Sequence, residues 1–224
     1  MPAKTLFITG ASSGIGAATA RAARRAGWNV GLFARSEDKL KALTQELGDR
    51  SLALPGDATS LDDQNQALAM LKHTYGRVDA AFANAGMGVR NAGTEQGDPE
   101  EWQRLVQLNI LGLLYTAKAA IPHLRPRKGH MLMTGSAAGR VHIPGSVYGA
   151  SKWFVHGFAG NLAEEMKEWG GRCTVVAPGM VNTGFFDEAK PDKLQPEDVA
   201  EAVMFALAAK PRNDVREVFL MPTD

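Results

Sequence analysis

Two residues near the middle of the chain, Tyr148 and Lys152, have side chains that could act together in proton transfer. They stand four positions apart in the segment SVYGASKW, residues 146–153. Residues at this spacing lie on one face of a helix, so the ammonium can approach the phenol. A nearby cation stabilises the phenolate and should lower the pKa of Tyr148 towards the range that a general acid or base needs. An ordinary polar pair can have the same spacing, so the surrounding sequence has to decide whether Tyr148 and Lys152 are catalytic.

A glycine-rich segment near the N-terminus, TGASSGIG, follows the first β-rich run and opens an alanine-rich helix. Such a turn lets a pyrophosphate approach the backbone, and the helix N-terminus offers it free N–H groups. Three glycines can also form a simple turn, but their position between strand and helix favours dinucleotide binding. The predicted contacts are Gly10, Ser12, Ser13, Gly14, Ile15 and Gly16.

The end of the second β-rich run predicts which dinucleotide binds. A carboxylate there would hold the ribose 2′-hydroxyl of NAD, whereas an arginine accommodates the 2′-phosphate of NADP. The segment LFARSED places Ala34 and Arg35 at this point, and a guanidinium suits a phosphate. The prediction is therefore NADP(H), although a solvated surface arginine is the alternative. Glu37 and Asp38 belong to the next helix, where acidic residues complement the helix dipole.

Strands and helices alternate along the sequence, which indicates βαβ units and a parallel sheet. The β-rich runs are almost continuously apolar, as expected of strands buried on both faces. Predicted strands cover 5–9, 29–34, 51–56, 78–86, 129–136, 172–179 and 217–222. Predicted helices cover about 14–26, 37–47, 61–75, 99–123, 147–169 and 196–209. No linker divides the chain, so we expect a single domain over residues 1–224.

Composition narrows the possible partners and location. The chain has 224 residues, 45% apolar and 22% charged, with a net charge of +1. Scattered charges of this balance do not indicate nucleic acid or an anionic membrane as partner. The apolar start is too short for a signal peptide, and Lys118 interrupts the longest apolar run, so we expect a cytoplasmic protein. The lone Cys173 is predicted to be a buried strand residue, and the five histidines show no metal-ligand spacing.

Six motifs in order along the chain resemble those of the short-chain dehydrogenase/reductase family. They are TGASSGIG, ANAG (83–86), LNILG (108–112), GSAAG (135–139), YGASK (148–152) and APGMVNT (177–183). The resemblance implies a doubly wound Rossmann-like α/β domain, with a seven-stranded parallel sheet in the order 3-2-1-4-5-6-7 and helices on both faces. It also implies hydride transfer between a nicotinamide cofactor and a carbonyl or alcohol.

The resemblance assigns a role to each matched position. It places Asn109, Ser136, Tyr148 and Lys152 in a catalytic tetrad, in which Lys152 also binds the ribose, Ser136 polarises the substrate oxygen and Asn109 holds a relay water. Asp57 and Ala58 resemble the pair that contacts the adenine. Asn84, Ala85 and Gly86 resemble the stretch beside the cofactor, and Pro178, Gly179 and Thr183 the loop near the nicotinamide. Simpler interpretations remain for two of these: Ser136 as a turn cap, and Asn109 as a buried polar group.

The chain departs from the family pattern at two places. Ser136 precedes Tyr148 by 12 residues, where 13 is common. The substrate-side loop, 180–195, is short, which predicts an open site with Met180, Phe185 and Phe186 as apolar walls. The two phenylalanines could instead be ordinary core anchors. His142 and Ile143 are either pocket-lining or exposed loop residues.

The resulting hypothesis is an NADP(H)-dependent carbonyl reductase or alcohol dehydrogenase that acts on a small molecule and forms a homodimer or homotetramer. A second hypothesis is a reductase of 3-oxoacyl thioesters on an acyl carrier, which a basic surface formed by Arg90, Arg140 and Lys193 would favour. A third is an NADP(H)-sensing protein without catalysis. The first two hypotheses require Tyr148, Lys152 and Ser136 for catalysis, whereas the third gives these residues no role.

Overall fold

Seven parallel strands form one sheet in the order β3-β2-β1-β4-β5-β6-β7. The computed structural model describes residues 2–90, 93–185 and 188–223. The predicted fold class, strand order and helices on both sheet faces are confirmed. The strands are β1 (Thr5–Thr9), β2 (Asn29–Ala34), β3 (Ser51–Pro55), β4 (Ala80–Ala83), β5 (His130–Thr134), β6 (Arg172–Pro178) and β7 (Glu217–Leu220).

The helices begin and end close to the predicted positions. They are α1 (Gly14–Arg25), α2 (Glu37–Leu47), α3 (Leu61–Tyr75), α4 (Pro99–Val106), α5 (Leu113–Leu124), α6 (Val147–Lys167) and α7 (Pro196–Ala208). The predicted single helix over 99–123 is interrupted by a π-helical turn, Gln107–Gly112. A π-turn widens the helix by one residue per turn, often at functional sites, and apolar periodicity does not reveal it.

Two apolar cores lie on the two faces of the sheet, because successive side chains of a strand point in opposite directions. On β1, Phe7 packs in the core that α3, α5 and α6 cover, whereas Leu6 and Ile8 pack in the core that α1, α2 and α7 cover. All three side chains are fully buried. This double cover explains why the strands are apolar without alternation.

Helix α6 begins at a position that places Tyr148 in its first turn. Ser146 is the N-cap, and its Oγ accepts a hydrogen bond from the Gly149 N–H at 2.9 Å. This bond satisfies one of the helix's unpaired N–H groups and fixes where α6 starts. Lys152 follows one turn later and is buried.

The helical run 99–127 is long and apolar enough, by composition, to cross a bilayer. In the fold its residues Ala117, Ala120 and Leu124 are buried in the core beside α3 and α6. This run therefore packs as a core helix against one face of the sheet.

Cys173 lies in β6 and is buried, as predicted. Burial raises the pKa of its thiol to about 12. The thiol is therefore protonated near neutral pH and unreactive.

His130, the first residue of β5, is linked through Thr174 of β6 to the segment that precedes β7. Its Nε2 lies 2.7 Å from the Thr174 hydroxyl, which donates a 2.5 Å hydrogen bond to the Val215 carbonyl. Because that hydroxyl uses its proton on Val215, it accepts from His130, and Nε2 carries the imidazole proton. Nδ1 is buried without a hydrogen-bond partner. Burial lowers the pKa of His130 to about 3.

This histidine should make the fold acid-sensitive. Its pKa is lower folded than unfolded, so the unfolded chain takes up the proton first and stability falls as pH drops below about 6.5. From pH 7 to pH 5 the loss from this group should be about 2 kcal/mol. His130→Gln keeps an N–H donor but does not titrate, so its unfolding free energy should fall about 2 kcal/mol less over this range in urea titrations. Equal pH dependence in the two proteins would contradict this assignment.

Candidate active site

The carboxyl ends of the strands open onto one cleft of about 1040 Å³. In open parallel sheets, ligands bind at this edge. Most of the residues predicted from the sequence line this cleft. They are Gly10, Ser12, Ser13, Gly14, Ile15, Arg35, Asp57, Ala58, Asn84, Ala85, Gly86, Ser136, Tyr148, Lys152, Pro178, Gly179 and Thr183. Two do not line it: Gly16 and Asn109.

Gly16 shapes the glycine-rich turn from beneath. A Cβ at this position would lie 2.3 Å from the Gly10 carbonyl oxygen, so any side chain would push α1 away from β1. Gly10 itself has φ of +65°, which favours glycine. The two glycines together allow the turn to bend tightly, and the N-terminus of α1 opens onto the cleft.

Asn84 ties the ends of three strands together. Its side-chain N–H donates to the Thr9 carbonyl at 3.1 Å, and its side-chain oxygen accepts from the Thr134 hydroxyl at 3.1 Å. Its backbone N–H bonds to the Thr9 hydroxyl at 3.0 Å. These bonds end β4 at Ala83, earlier than the predicted boundary at residue 86, because the following residues bond side chains instead of a neighbouring strand.

The end of β2 presents basic side chains to the cleft. Arg35 is exposed and lines it, together with Ser36 and Lys39. Sequence reasoning missed Lys39, although its position in the first turn of α2, one helical turn past Arg35, was a usable signal. The only carboxylate among the described cleft-lining residues is Asp57, which follows β3 and not β2.

Asp57 and Ala58 lie where β3 leads into α3. One carboxylate oxygen of Asp57 accepts from the N–H and hydroxyl of Thr59, at 2.8 and 2.9 Å. The Asp57 N–H donates a hydrogen bond to the Asp63 carboxylate at 2.9 Å. This bond lowers the pKa of Asp63. The loop is therefore rigid at the point where it meets the cleft.

Ser136, Tyr148 and Lys152 meet at one wall of the cleft. Ser136 follows β5, and its side chain is near enough to Tyr148 to lower the pKa of the phenol. The Lys152 ammonium donates to the Thr134 carbonyl at 2.8 Å and lies 5.7 Å from the centre of the Tyr148 ring. Ser136 also caps a short turn, since its Oγ accepts from the Ala138 N–H at 3.1 Å. Ser136 therefore caps the turn and also lines the cleft.

The expected direction of the Tyr148 pKa was wrong for this structure. Burial raises the pKa of the phenol above its ordinary value, and the nearby Ser136 side chain opposes this only in part. Lys152 does not reverse the shift, because its ammonium bonds to a backbone carbonyl rather than to the phenol oxygen. The tyrosine is therefore held in its protonated form at neutral pH.

Lys152 is a buried cation, and none of the described carboxylates forms an ion pair with it. Only 6% of its surface is exposed, and burial lowers its pKa to about 8. At pH 7 the ammonium is still charged. A charge held in such a place destabilises the fold, which is typical of residues kept for function.

Asn109 lies in the π-helical turn behind the cleft. Its amide accepts from the Met87 N–H at 2.8 Å and donates to the Met87 carbonyl at 2.9 Å. Its second N–H bonds to the Ser151 hydroxyl at 3.2 Å, and that hydroxyl donates to the Tyr148 carbonyl at 2.7 Å. The side chain therefore anchors backbone, and Ser151, which the sequence analysis missed, links it to the tyrosine.

The loop 180–195 is tied at its base. Val181 pairs with Leu194 as a β-bridge, and the Asn182 N–H donates to the Leu194 carbonyl at 2.7 Å. The Asn182 side chain donates to Gln195 Oε1 at 3.0 Å and accepts from the Lys190 N–H at 2.8 Å. In its described part the loop contains no helix.

Phe185 lies beside Tyr148, with ring centres 5.4 Å apart. A Cβ on Gly88 would lie 2.8 Å from the Phe185 ring, so the glycine makes room for it. Met180 and Ile143 also line the cleft. Phe186, the other predicted apolar wall, lies outside the described residues.

The remaining predicted residues divide between cleft and surface. Lys193 lines the cleft, as do the unpredicted Val141 and Met221. Arg140 instead forms an ion pair with Glu217. His142 stacks on Trp153, with ring centres 5.4 Å apart. Arg90 donates its backbone N–H to Glu101 and does not line the cleft.

Comparison with known proteins decides the family. The sequence model of the short chain dehydrogenase family matches residues 4–194. An uncharacterized oxidoreductase of Staphylococcus aureus (strain MRSA252) is 34% identical, over 98% of this chain and 97% of the relative. This chain is a member of the short-chain dehydrogenase/reductase family. It is accordingly an oxidoreductase, and enzymes of this family generally use nicotinamide cofactors.

Solved structures of other family members resemble it closely. An alcohol dehydrogenase from Thermococcus sibiricus, complexed with 5-hydroxy-NADP, has 30% identity and a TM-score of 0.89, covering 98% of this chain and 97% of its own. A serine dehydrogenase complexed with NADP⁺ has 28% identity and a TM-score of 0.91, covering 97% and 94%. A 3-ketoacyl-(acyl-carrier-protein) reductase from Brucella melitensis complexed with NADH has 26% identity and a TM-score of 0.89, covering 99% and 98%.

Replacing the buried lysine of this short-chain dehydrogenase/reductase should stabilise the fold. The buried charge of Lys152 lowers the free energy of unfolding by up to about 3 kcal/mol. Lys152→Met removes this cost, but it also removes the hydrogen bond to the Thr134 carbonyl. Because the pKa of Lys152 is lower folded than unfolded, wild-type stability recovers as pH rises from about 8 to 10.5. We expect a melting temperature several degrees higher for the variant at pH 7, with the difference shrinking towards pH 10. A less stable variant at pH 7 would contradict this.

Proposed function

We propose that the protein is an NADP(H)-dependent reductase of a small carbonyl compound, which also oxidises the corresponding alcohol. One observation carries the proposal. Ser136, Tyr148 and Lys152 converge on a wall of the same cleft that the glycine-rich turn of Gly10–Gly16 opens onto. The turn, the α1 N-terminus and Arg35 fit a phosphorylated dinucleotide, and the converging side chains fit proton transfer to an oxygen beside it.

The bound cofactor would supply the hydride, and the side chains would handle the proton. A carbonyl oxygen placed between Ser136 and Tyr148 gains negative charge as its carbon is reduced. The Ser136 hydroxyl donates a hydrogen bond that stabilises this charge. Tyr148 transfers its phenolic proton to the same oxygen, giving the alcohol and leaving a phenolate. The nearby Lys152 ammonium stabilises that phenolate.

Reduction needs Tyr148 as a phenol, and oxidation needs it as a phenolate. A tyrosine whose pKa is not lowered is a phenol at neutral pH, so Tyr148 has the proton that reduction requires. Lys152, with a pKa of about 8, is charged below that pH and can balance the phenolate when it forms. We assign Asn109 a positioning role, through the π-turn and Ser151, in place of direct contact with substrate.

Several features support NADP(H) over NAD(H). Arg35 and Lys39 both line the cleft beside the end of β2, where a 2′-phosphate would need positive charge. Ala34 leaves no carboxylate there to bind a free 2′-hydroxyl. Two similar proteins were crystallised with NADP forms, although the Brucella reductase was crystallised with NADH.

The substrate walls favour an uncharged, apolar carbonyl compound. Phe185 packs on Tyr148, and Ile143, Val141 and Met180 add apolar surface to the same cleft. The likeness to a 3-ketoacyl-(acyl-carrier-protein) reductase keeps the carrier-bound thioester as the second candidate. The basic surface predicted for binding an acyl carrier loses the charge of Arg140, because Arg140 forms an ion pair with Glu217. A single domain, a homo-oligomer and a cytoplasmic location also stay proposals, based on sequence and family.

The decisive experiment is a substrate panel with NADPH and with NADH. Purified protein is incubated with apolar ketones and aldehydes, 2- and 3-oxo acids, and a 3-oxoacyl carrier thioester, while the absorbance of the reduced nicotinamide is followed. We expect NADPH-dependent turnover, fastest with uncharged apolar carbonyls. Tyr148→Phe should lower kcat at least about 1000-fold, since it removes the proton donor, while NADPH binding changes less than about threefold.

Each other outcome has a distinct meaning. Turnover of the carrier thioester alone would select the second candidate. Tight NADPH binding without turnover of any compound would support the cofactor-sensing alternative. Undiminished activity in Tyr148→Phe would show that another group is the acid.

Arg35 should set the cofactor preference. Arg35→Ala removes a charged contact to the 2′-phosphate, so the Kd for NADPH should rise about 10- to 100-fold while that for NADH changes little. Fluorescence titration of the reduced nicotinamide measures both. Arg50→Ala, an exposed arginine outside the cleft, is the matched control and should leave both values unchanged. Equal weakening for NADPH and NADH in Arg35→Ala would contradict a 2′-phosphate contact.

A further inference from the structure

The turn that carries Ser136 is folded around the imidazole ring of His156. A Cβ added to Gly135 would lie 3.0 Å from Nε2 of His156, and one added to Gly139 would lie 2.7 Å from Cδ2. Both ends of the turn are therefore in contact with the ring, and glycine at both positions makes room for it. The His156 side chain is only 16% exposed.

The ring also bonds to the backbone of the serine itself. Nε2 of His156 lies 3.3 Å from the Ser136 carbonyl oxygen, which also accepts from the Gly139 N–H at 2.9 Å. A carbonyl only accepts, so the imidazole proton is on Nε2. Burial lowers the pKa of His156, which keeps the ring neutral near pH 7 with its one proton in this bond.

Helix α6 gives the ring a fixed position relative to Tyr148 and Lys152. His156 follows Lys152 by four residues and Tyr148 by eight, so the three side chains lie along one face of the helix. Sequence analysis considered His156 only as a possible metal ligand. Its spacing from the lysine was the signal that it belongs to the same face.

The outer side of the turn is held by the last strand. Arg140, which follows the turn, forms an ion pair with Glu217, the first residue of β7. Glu217 Oε1 lies 3.7 Å from Nδ1 of His156, on the side of the ring away from Ser136. The turn is therefore contacted by the His156 ring on one side and by the Arg140–Glu217 ion pair on the other.

We propose that His156 is a positioning residue for the reaction, which holds the Ser136 turn so that the serine hydroxyl faces the substrate oxygen. This proposal rests on the role given to Ser136 above. The ring fills the turn, and its N–H fixes the carbonyl of the same residue whose hydroxyl must be placed. Small displacements of groups that align reactants cost large factors in rate, about 100-fold for 1 Å.

Two substitutions separate filling the turn from bonding to it. His156→Phe keeps a ring of similar size but has no N–H, whereas His156→Gln retains an N–H donor at a similar reach. We expect kcat to fall about 10- to 100-fold in His156→Phe, with the KM for NADPH within about twofold of wild type, and to recover to within about fivefold of wild type in His156→Gln. His123→Phe, a half-buried histidine on α5 that does not line the cleft, is the matched control and should leave kcat unchanged.

A second readout does not depend on turnover. Hydrogen exchange of the backbone amides of residues 135–140 should become at least about tenfold faster in His156→Phe, but not in His156→Gln or His123→Phe. Unchanged exchange in His156→Phe overturns the proposal, whether or not a substrate has been found. Faster exchange with unchanged kcat would also overturn it, because the turn's order would then not matter to the reaction. Loss of activity in Tyr148→Phe but not in His156→Phe would leave the proposed function intact and refute only the role of His156.

Discussion

The buried ammonium of Lys152 is the constraint around which the site is arranged. A charge with so little exposure needs polar partners, and its one described hydrogen bond goes to the Thr134 carbonyl at the end of β5. That bond joins α6 to the central sheet at the edge where parallel strands end. The same edge carries the glycine-rich turn after β1, so the position of one lysine is linked to the position of the glycine-rich end of the cleft.

The elements around the lysine act as supports for the tyrosine and the serine. Ser146 fixes the start of α6, which places Tyr148 one turn before Lys152. Asn109, in the π-turn, is linked to the Tyr148 backbone through the hydroxyl of Ser151. These contacts come from two separate parts of the chain, α6 with its cap and the π-turn, so the geometry near the phenol depends on tertiary packing as well as on α6.

Much of the fold was predictable because its signals are local. Apolar runs and glycine-rich turns predicted the strands and helices to within a few residues, and the resemblance to the family predicted the sheet order. The π-turn at Asn109 was not predictable, since its apolar pattern is that of a continuous α-helix. The direction of the Tyr148 pKa was also missed. Sequence spacing puts the lysine near the phenol, but only coordinates show that the ammonium bonds elsewhere.

The short loop after β6 changes how this site can exclude water. Asn182 closes the base of the loop with bonds to Leu194, Gln195 and Lys190, so its two ends are held together without a helical lid. In the described part of the loop, Phe185 packs on the phenol ring, placed by the space beside Gly88. A flat aromatic ring excludes water by apolar contact and offers no fixed polar group. In the proposed reaction, selectivity would come from shape and apolar burial, while Ser136 and Tyr148 would make the polar contacts to the oxygen that reacts.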